Sequence, residues 1–200
     1  MNRPRMLARL ILILVISCLA IPWAGWSETK RDRRQRETLE ELLSKLERRH
    51  RYPNPTADQV YLHEQAEILF QNTRAAREDH YRFGRLARAT DSLLEASERI
   101  KDAPRQKDDD EDAKREAAQG LQNDYFRLQQ AEYYAAQINE QSAAEYVKLA
   151  RRLYQQARRE YDAGQYDMAE TLGDSVSYVV NALEALAQAA IRIPEPPRIE

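Results

Sequence analysis

The strongest constraint on the fold is an apolar pattern near the end of the chain. Between residues 169 and 190, apolar side chains recur every three or four positions. This spacing puts them all on one face of an α-helix, whereas a strand would alternate at every second residue. The members are Ala169, Leu172, Val176, Val179, Leu183, Leu186 and Ala190. The sequence therefore predicts a long helix that is buried along one side.

The same period covers most of the chain upstream. A first helix is predicted over about residues 29–50, and further stripes follow within 62–76, 83–100, 121–138 and 146–161. Their main members are Leu39, Leu42, Leu43 and Leu46; Leu62, Ala66, Leu69 and Thr73; Phe83, Leu86, Leu93 and Leu94; Leu121, Tyr125, Leu128 and Ala131; and Tyr146, Ala150, Leu153 and Ala157. With only 5 glycines in 200 residues, the chain is expected to be all-α and built of antiparallel helical hairpins.

Turn signals separate these helices. The two prolines of "RYPNPT" end the first helix, because a residue before proline avoids helical geometry. "TADQ" at residues 56–59 has the pattern of a capping box, and Gly164 marks a turn before the last helix. "SAAE" at 142–145 fits a second capping box and predicts a break near residue 139. The unbroken stripe also allows one long helix through residue 163.

The two halves of the body look related. "LFQNTR" at 69–74 resembles "LYQQAR" at 153–158, and the surrounding stripes keep the same offset. We therefore predict two related three-helix units, arranged as a bundle or a short solenoid. The expected organisation is a first unit over residues 28–101, an acidic linker over 102–112, a second unit over 113–190 and a proline-rich tail over 191–200.

The first 27 residues differ in character from the body. Three arginines precede an apolar run from residue 10 to residue 26, which is the order of a secretory signal peptide. Cleavage after Ser27 is the favoured outcome. "VISC" resembles a bacterial lipobox, which makes Cys18 the candidate lipid attachment site, and an uncleaved membrane anchor is the third alternative. In each case we expect an exported protein, either periplasmic or membrane-anchored facing the periplasm.

Charge and cysteine content exclude several functional classes. The whole chain has a formal charge of −2, and removal of residues 1–27 leaves 28 basic residues against 33 acidic ones. This mildly acidic balance predicts no nucleic-acid partner. The single cysteine, Cys18, lies in the apolar run, so the body has no disulfide and no thiol nucleophile. We expect no cofactor and no metal, because "ERRH" at 47–50 is an isolated Glu-x-x-His pair without the partners of a di-iron site.

Two local segments resemble known helical families. Gly164, Tyr166 and Ala169 resemble the turn and second-helix start of a tetratricopeptide repeat, although the final helix is longer than in that repeat. The stretch "ARRLYQQARREYDAGQYDMA" also resembles the helical-hairpin domains of bacterial envelope lipoproteins. Both resemblances imply a module that binds or spaces other proteins rather than a catalyst.

The expected function follows from these observations. We predict a non-enzymatic protein-interaction or scaffolding module of the bacterial envelope, with an envelope protein as its partner and membrane association through the N-terminal segment. Eight of the 11 tyrosines fall in the second unit, more than one narrow apolar stripe can bury. They either line an interface, for which tyrosine is well suited, or border the core at the flanks of the helices. The candidate interaction residues are Tyr133, Tyr134 and Tyr154.

Two alternatives remain open at this stage. Arg74 and His80 resemble the arginine–histidine pair of HEPN-type ribonucleases, in which arginine would steady phosphate charge and histidine would move a proton. A helical bundle that binds a small ligand is the other alternative.

Overall fold

The computed structural model describes residues 29–48, 54–100, 111–138 and 141–190. Within these ranges the chain forms six α-helices and no strand, which confirms the all-α expectation. The helices are α1 (Lys30–Glu47), α2 (Ala57–Ala75), α3 (His80–Arg99), α4 (Glu111–Gln137), α5 (Gln141–Asp162) and α6 (Tyr166–Ala190). Cys18, the predicted signal segment, most of the predicted linker and the proline-rich tail lie outside the described residues. Everything discussed below belongs to the compact unit that begins at Gln35.

Side-chain caps start the second and third helices. Thr56 accepts a hydrogen bond from the Gln59 backbone at 3.2 Å, and Gln59 Oε1 accepts one from the Thr56 backbone at 2.9 Å. This reciprocal pair is the predicted capping box, which satisfies two backbone donors that the first turn leaves unpaired. At α3, Asp79 Oδ1 accepts from the Arg82 backbone at 2.9 Å. Asp79 is therefore the cap, and His80 is the first residue of the helix.

Gly164 ends α5 as the sequence indicates. Its φ of 77° lies in the left-handed region that favours glycine. The Gly164 N–H donates to the Tyr161 carbonyl at 2.9 Å, and the Gln165 N–H donates to the Glu160 carbonyl at 2.8 Å. This pair of bonds is a Schellman motif, which lets the chain reverse directly into α6.

Two helix starts differ from the sequence-based boundaries. Residues 111 and 112 form the first turn of α4 instead of ending the acidic linker, because carboxylates are favourable at a helix N-terminus. Ser142 lies inside the first turn of α5 and not ahead of it, so it is not the predicted cap. The break near residue 139 is confirmed, and α4 and α5 are separate helices.

Contacts between helices define an ordered packing. In the first half, Gln59 on α2 bonds to Ser97 on α3, and Lys45 on α1 bonds to Glu95. In the second half, Arg127 on α4 bonds to Asn181 on α6. From these and neighbouring pairs, the outer two helices of each half run parallel and the middle helix runs antiparallel to them. A duplicated three-helix unit requires this order, and the duplication itself remains a prediction.

Helix α6 is the central element of the core. It packs against α3, α4 and α5. Its apolar stripe is buried from Ala169 to Leu186 as predicted, whereas the last member, Ala190, is exposed. Val176, Val179, Val180 and Leu183 have no solvent exposure. One hydrophobic cluster runs from Leu39 through α3 and α6 to Leu186, so both halves share a single core.

Candidate interaction surface

Within the described residues, the aromatic side chains classed as exposed lie on α4. Four large hydrophobic side chains of the described residues are exposed to solvent: Tyr125 by 50%, Phe126 by 58%, Tyr133 by 65% and Ile68 by 54%. The first three lie on α4, whereas Ile68 stands on α2. Phe126 and Tyr133 are seven residues apart, so they share one face of the helix.

The exposed rings contact neighbouring rings on α4 and α5. The Phe126 and Tyr125 ring centroids are 6.0 Å apart, and those of Tyr125 and Tyr154 are 6.4 Å apart. Two turns further on, the Tyr133 and Tyr134 rings form a separate pair, with centroids 5.7 Å apart and edge-to-face geometry. These separations are within the range in which aromatic pairs stabilise each other. Contacts between the rings therefore restrict their positions.

From residue 118 onward the solvent face of α4 is nearly without charge, whereas the exposed residues of its first two turns, Glu111, Asp112, Arg115 and Glu116, are charged. Twelve residues between 118 and 137 are exposed, and only Glu132 among them is charged. Glu132 already pairs with Arg151 on α5. The half-buried Arg127 borders this face, donating to Gln130 Oε1 at 2.7 Å and to Asn181 on α6. We call the exposed side of α4 between residues 118 and 137 the neutral face; its members are Ala118, Gln119, Gln122, Asn123, Tyr125, Phe126, Gln129, Gln130, Glu132, Tyr133, Ala136 and Gln137.

The three tyrosines singled out from the sequence have different environments. Tyr133 is on the neutral face. Tyr134 and Tyr154 are half-buried and pack against the hydrophobic core. Each of them contacts an exposed ring, but part of its own surface is covered by the protein. Phe126 was missed, although its spacing of seven from Tyr133 was visible in the sequence.

Tyr125 was assigned to the buried stripe of α4, and this assignment was wrong. The buried positions are Ala117, Leu121, Asp124 and Ala131. An aspartate thus takes the inward position, and the neighbouring Tyr125 is turned by about 100° toward solvent. A buried acid is rare without a partner, which is why the apolar pattern alone selected the wrong residue.

Asp124 lies in a tight contact between α4 and α6. Only 5% of the residue is exposed. Its carboxylate rests on the backbone at Gly173, where a methyl group would overlap Oδ2, and Ser177 Oγ donates to Oδ1 at 3.1 Å. Burial raises the pKa of Asp124 to about 6; the Ser177 hydrogen bond opposes this shift, nearby Asp174 adds to it and Arg127 reduces it.

The residues of the ribonuclease alternative lie near the turn between α2 and α3. Arg74 is half-buried and donates to Gln71 Oε1 at 3.2 Å. His80 is exposed at the start of α3. For the ligand-binding alternative, a shallow depression is lined by Lys114, Arg115 and Tyr161.

Within the described ranges, no group of three or more His, Cys, Asp or Glu side chains is placed to hold a metal ion. None of the helices in these ranges is both long and apolar enough to cross a membrane.

Comparison with family models, with curated proteins and with solved structures finds no match to this chain.

Proposed function

We propose that this chain is an exported bacterial envelope protein that acts as a non-enzymatic protein-interaction or scaffolding module, with the neutral face of α4 as its contact surface. The observation that carries this proposal is the exposure of Tyr125, Phe126 and Tyr133 on a face with a single, already paired charge. Interface centres are rich in aromatic residues and poor in charged ones.

The composition of the chain makes this face unusual. Charged residues are 32% of the sequence, and the exposed sides of other helices carry many of them. For example, Arg82, Arg85 and Arg88 are all exposed or half-exposed on α3. A solvated surface of average composition would place several charges on the neutral face. Their depletion supports a surface selected for contact with protein.

The experiment for binding is photo-crosslinking in cells that express the full chain. A photo-reactive phenylalanine at position 133 should capture protein, because that side chain is exposed. The same group at position 68 is the matched control, since Ile68 is an equally exposed hydrophobic side chain on α2. Capture from position 133 and not from 68 supports the proposal. Equal capture, or none from 133, contradicts it.

The export part of the proposal rests on the N-terminal sequence. An intact mass of protein from the envelope fraction tests it. A chain that starts at Glu28 supports signal cleavage, and an acyl mass on Cys18 supports lipidation. A full-length chain found only in the soluble cytoplasmic fraction would contradict export.

A further inference from the structure

The turn between α2 and α3 carries an excess of positive charge. A contact between the Thr73 and Thr90 hydroxyl oxygens, 3.4 Å apart, joins the two helices below this turn. The residues from 73 to 90 contain five arginines and two acids, which is a net charge of +3 with His80 neutral. We call this segment the basic end; its arginines are Arg74, Arg77, Arg82, Arg85 and Arg88, and its acids are Glu78 and Asp79.

This excess does not depend on where the segment is cut. Four more residues on each side, 69–72 and 91–94, add only Asp91 to the charges. Asp91 already lies 2.5 Å from Lys45 on α1. The first three turns of α1, residues 30–41, carry five basic and four acidic residues, so they add one further positive charge. The basic end therefore stays positive when its surroundings are counted.

The arginines of the basic end are accessible to an anion. Arg77, Arg82 and Arg88 are exposed, and no ion pair between described residues involves them. The Arg85 guanidinium carbon lies 5.1 Å from the centre of the half-exposed Tyr81 ring. Guanidinium groups bind phosphate through paired N–H donors, and tyrosine is favoured at the level of lipid headgroups. The side chains thus suit a surface of lipid phosphates.

The other long hairpin has the opposite charge at its turn. Residues 157–174, around the turn between α5 and α6, contain two arginines and five acids, which is a net charge of −3. An ion pair of 3.1 Å between Arg99 and Asp174 joins the last residue of α3 to the first half of α6. The two turns therefore lie at opposite ends of the α3–α6 pair. The compact unit has one basic and one acidic end.

The N-terminal part of the chain joins the compact unit at the basic end. Gln35 on α1 donates to the Arg77 carbonyl at 3.1 Å. The apolar run of the sequence ends at Trp26, nine residues before Gln35, and nine residues span at most about 30 Å. In two of the three sequence-based alternatives, a lipid on Cys18 or a retained anchor, the start of the chain stays at a membrane. The basic end is then the part of the unit held nearest to it.

We propose that the basic end binds an anionic lipid surface, with its arginines against the lipid phosphates and the acidic end turned away. A flat surface meets one end of the unit, and the Debye length of about 8 Å keeps the acidic end out of its field. A long nucleic acid would also meet the acidic end. This inference goes beyond the proposed function, because it assigns a second surface and does not depend on the neutral face.

The test uses the full chain with a photo-reactive phenylalanine at position 84, irradiated with vesicles. Gly84 is exposed beside Arg85, and a Cβ atom there meets nothing within 4 Å. The vesicles contain phosphatidylcholine, either alone or with one third phosphatidylglycerol. We expect a lipid adduct on the peptide that contains position 84, with about tenfold more of it for the anionic vesicles. High salt should remove this difference, because it screens the surface charge.

Paired variants locate the contact. Arg82→Gln together with Arg88→Gln should reduce the adduct about tenfold, because two charges near the anionic surface are lost. Arg158→Gln together with Arg159→Gln removes two exposed arginines near the other turn and should leave the adduct unchanged. The photo-reactive group at position 163, where Ala163 is exposed at that turn, should give little adduct. Circular dichroism checks that both double variants keep their helices.

Each of the other results overturns the inference. Equal adducts with neutral and anionic vesicles, or none with either, would mean that charge does not bring position 84 to the lipid. Equal adducts from positions 84 and 163, or no effect of the Arg82 and Arg88 substitutions, would mean that the basic end does not orient the unit. Capture of an added oligouridylate in place of lipid would assign the arginines to nucleic acid. The neutral face is tested separately at position 133, so failure here leaves the proposed function standing.

Discussion

At the scale of single residues, Asp124 is unusual because its carboxyl group is buried between α4 and α6. Its neighbours on α6 are Gly173, which leaves room for the carboxylate, and Ser177, which donates one hydrogen bond. Burial disfavours the ionised form, so the pKa of Asp124 rises to about 6. The folded protein therefore binds a proton at Asp124 more tightly than the unfolded chain does.

The stability of the protein should depend on this proton. Between about pH 4 and pH 6 the unfolded chain loses it before the folded protein, so the free energy of unfolding falls as pH rises through this window. Asp124→Asn removes the charge and keeps an oxygen that can accept from Ser177. We expect it to raise the free energy of unfolding at pH 7 by about 1–2 kcal/mol, and by little at pH 4.

Urea denaturation at pH 4, 5, 6 and 7 measures this difference. Glu67→Gln is the matched control, because Glu67 is an exposed carboxylate in the middle of α2, away from both ends of the helix. Its effect should not grow between pH 4 and pH 7. An Asp124→Asn variant that is less stable than wild type at pH 7 would show that the carboxylate is favourable in its site.

At the scale of elements, the α4–α6 pair depends on the missing side chain at position 173. Gly173→Ala alone should lower the free energy of unfolding by about 1–3 kcal/mol, because the new methyl overlaps Asp124 Oδ2. In an Asp124→Ala background the same change should be neutral or stabilising by up to about 1 kcal/mol, since alanine favours the helix over glycine. The four proteins form a double-mutant cycle, and equal effects in both backgrounds would contradict the contact.

Helix α1 is attached to α3 by a charged contact beside its leucines. Lys45 Nζ lies 2.5 Å from Asp91 Oδ1 and 2.7 Å from Glu95 Oε1. Burial alone would lower the pKa of Lys45, but the two carboxylates outweigh it and raise this pKa. Lys45 therefore stays charged and compensates two acids on the surface of α3.

Removing this charge should loosen α1 selectively. Lys45→Met leaves Asp91 and Glu95 facing each other without a cation, and we expect a loss of about 1–3 kcal/mol. Hydrogen exchange should speed up in residues 39–47 and change little in α5. Lys45→Arg is the control that keeps a positive charge. Unchanged exchange in α1 for Lys45→Met would mean that Leu39, Leu42 and Leu46 alone hold the helix.

At the scale of the whole molecule, one core serves both halves. Leu153, on α5, is 1% exposed and belongs to the same cluster as Leu93 on α3. Leu153→Ala should cost about 2–5 kcal/mol as a core truncation. Because the core is shared, this loss should lower the unfolding midpoint of α2 and α3 as much as that of α5 and α6.

Hydrogen exchange measured at increasing denaturant concentrations gives an unfolding midpoint for each half of the protein separately. Gln155→Ala, an exposed change two residues away, is the matched control. A midpoint shift confined to residues 111–190 would mean that the halves unfold separately, which a shared core does not allow.

The sequence alone determined the helices and most of their ends. A period of 3.6 residues, two prolines, the cap at Thr56 and the glycine at position 164 act through local geometry, so they are readable without a tertiary structure. The buried stripe of α6 was equally readable, because every third or fourth residue in it is apolar. The proposed duplication and export also rest on the sequence alone.

Tertiary packing decided which faces stay open. The apolar pattern placed Tyr125 inside α4, but the approach of Gly173 on α6 makes room for Asp124 there, and Tyr125 turns outward with Phe126. Likewise Tyr134 and Tyr154 are half-buried only because α5 packs beside α4. Periodicity identifies a helix that has an apolar face, but the helices packed against it determine which of its residues point into the core. The neutral face could therefore be recognised only once α5 and α6 were in place.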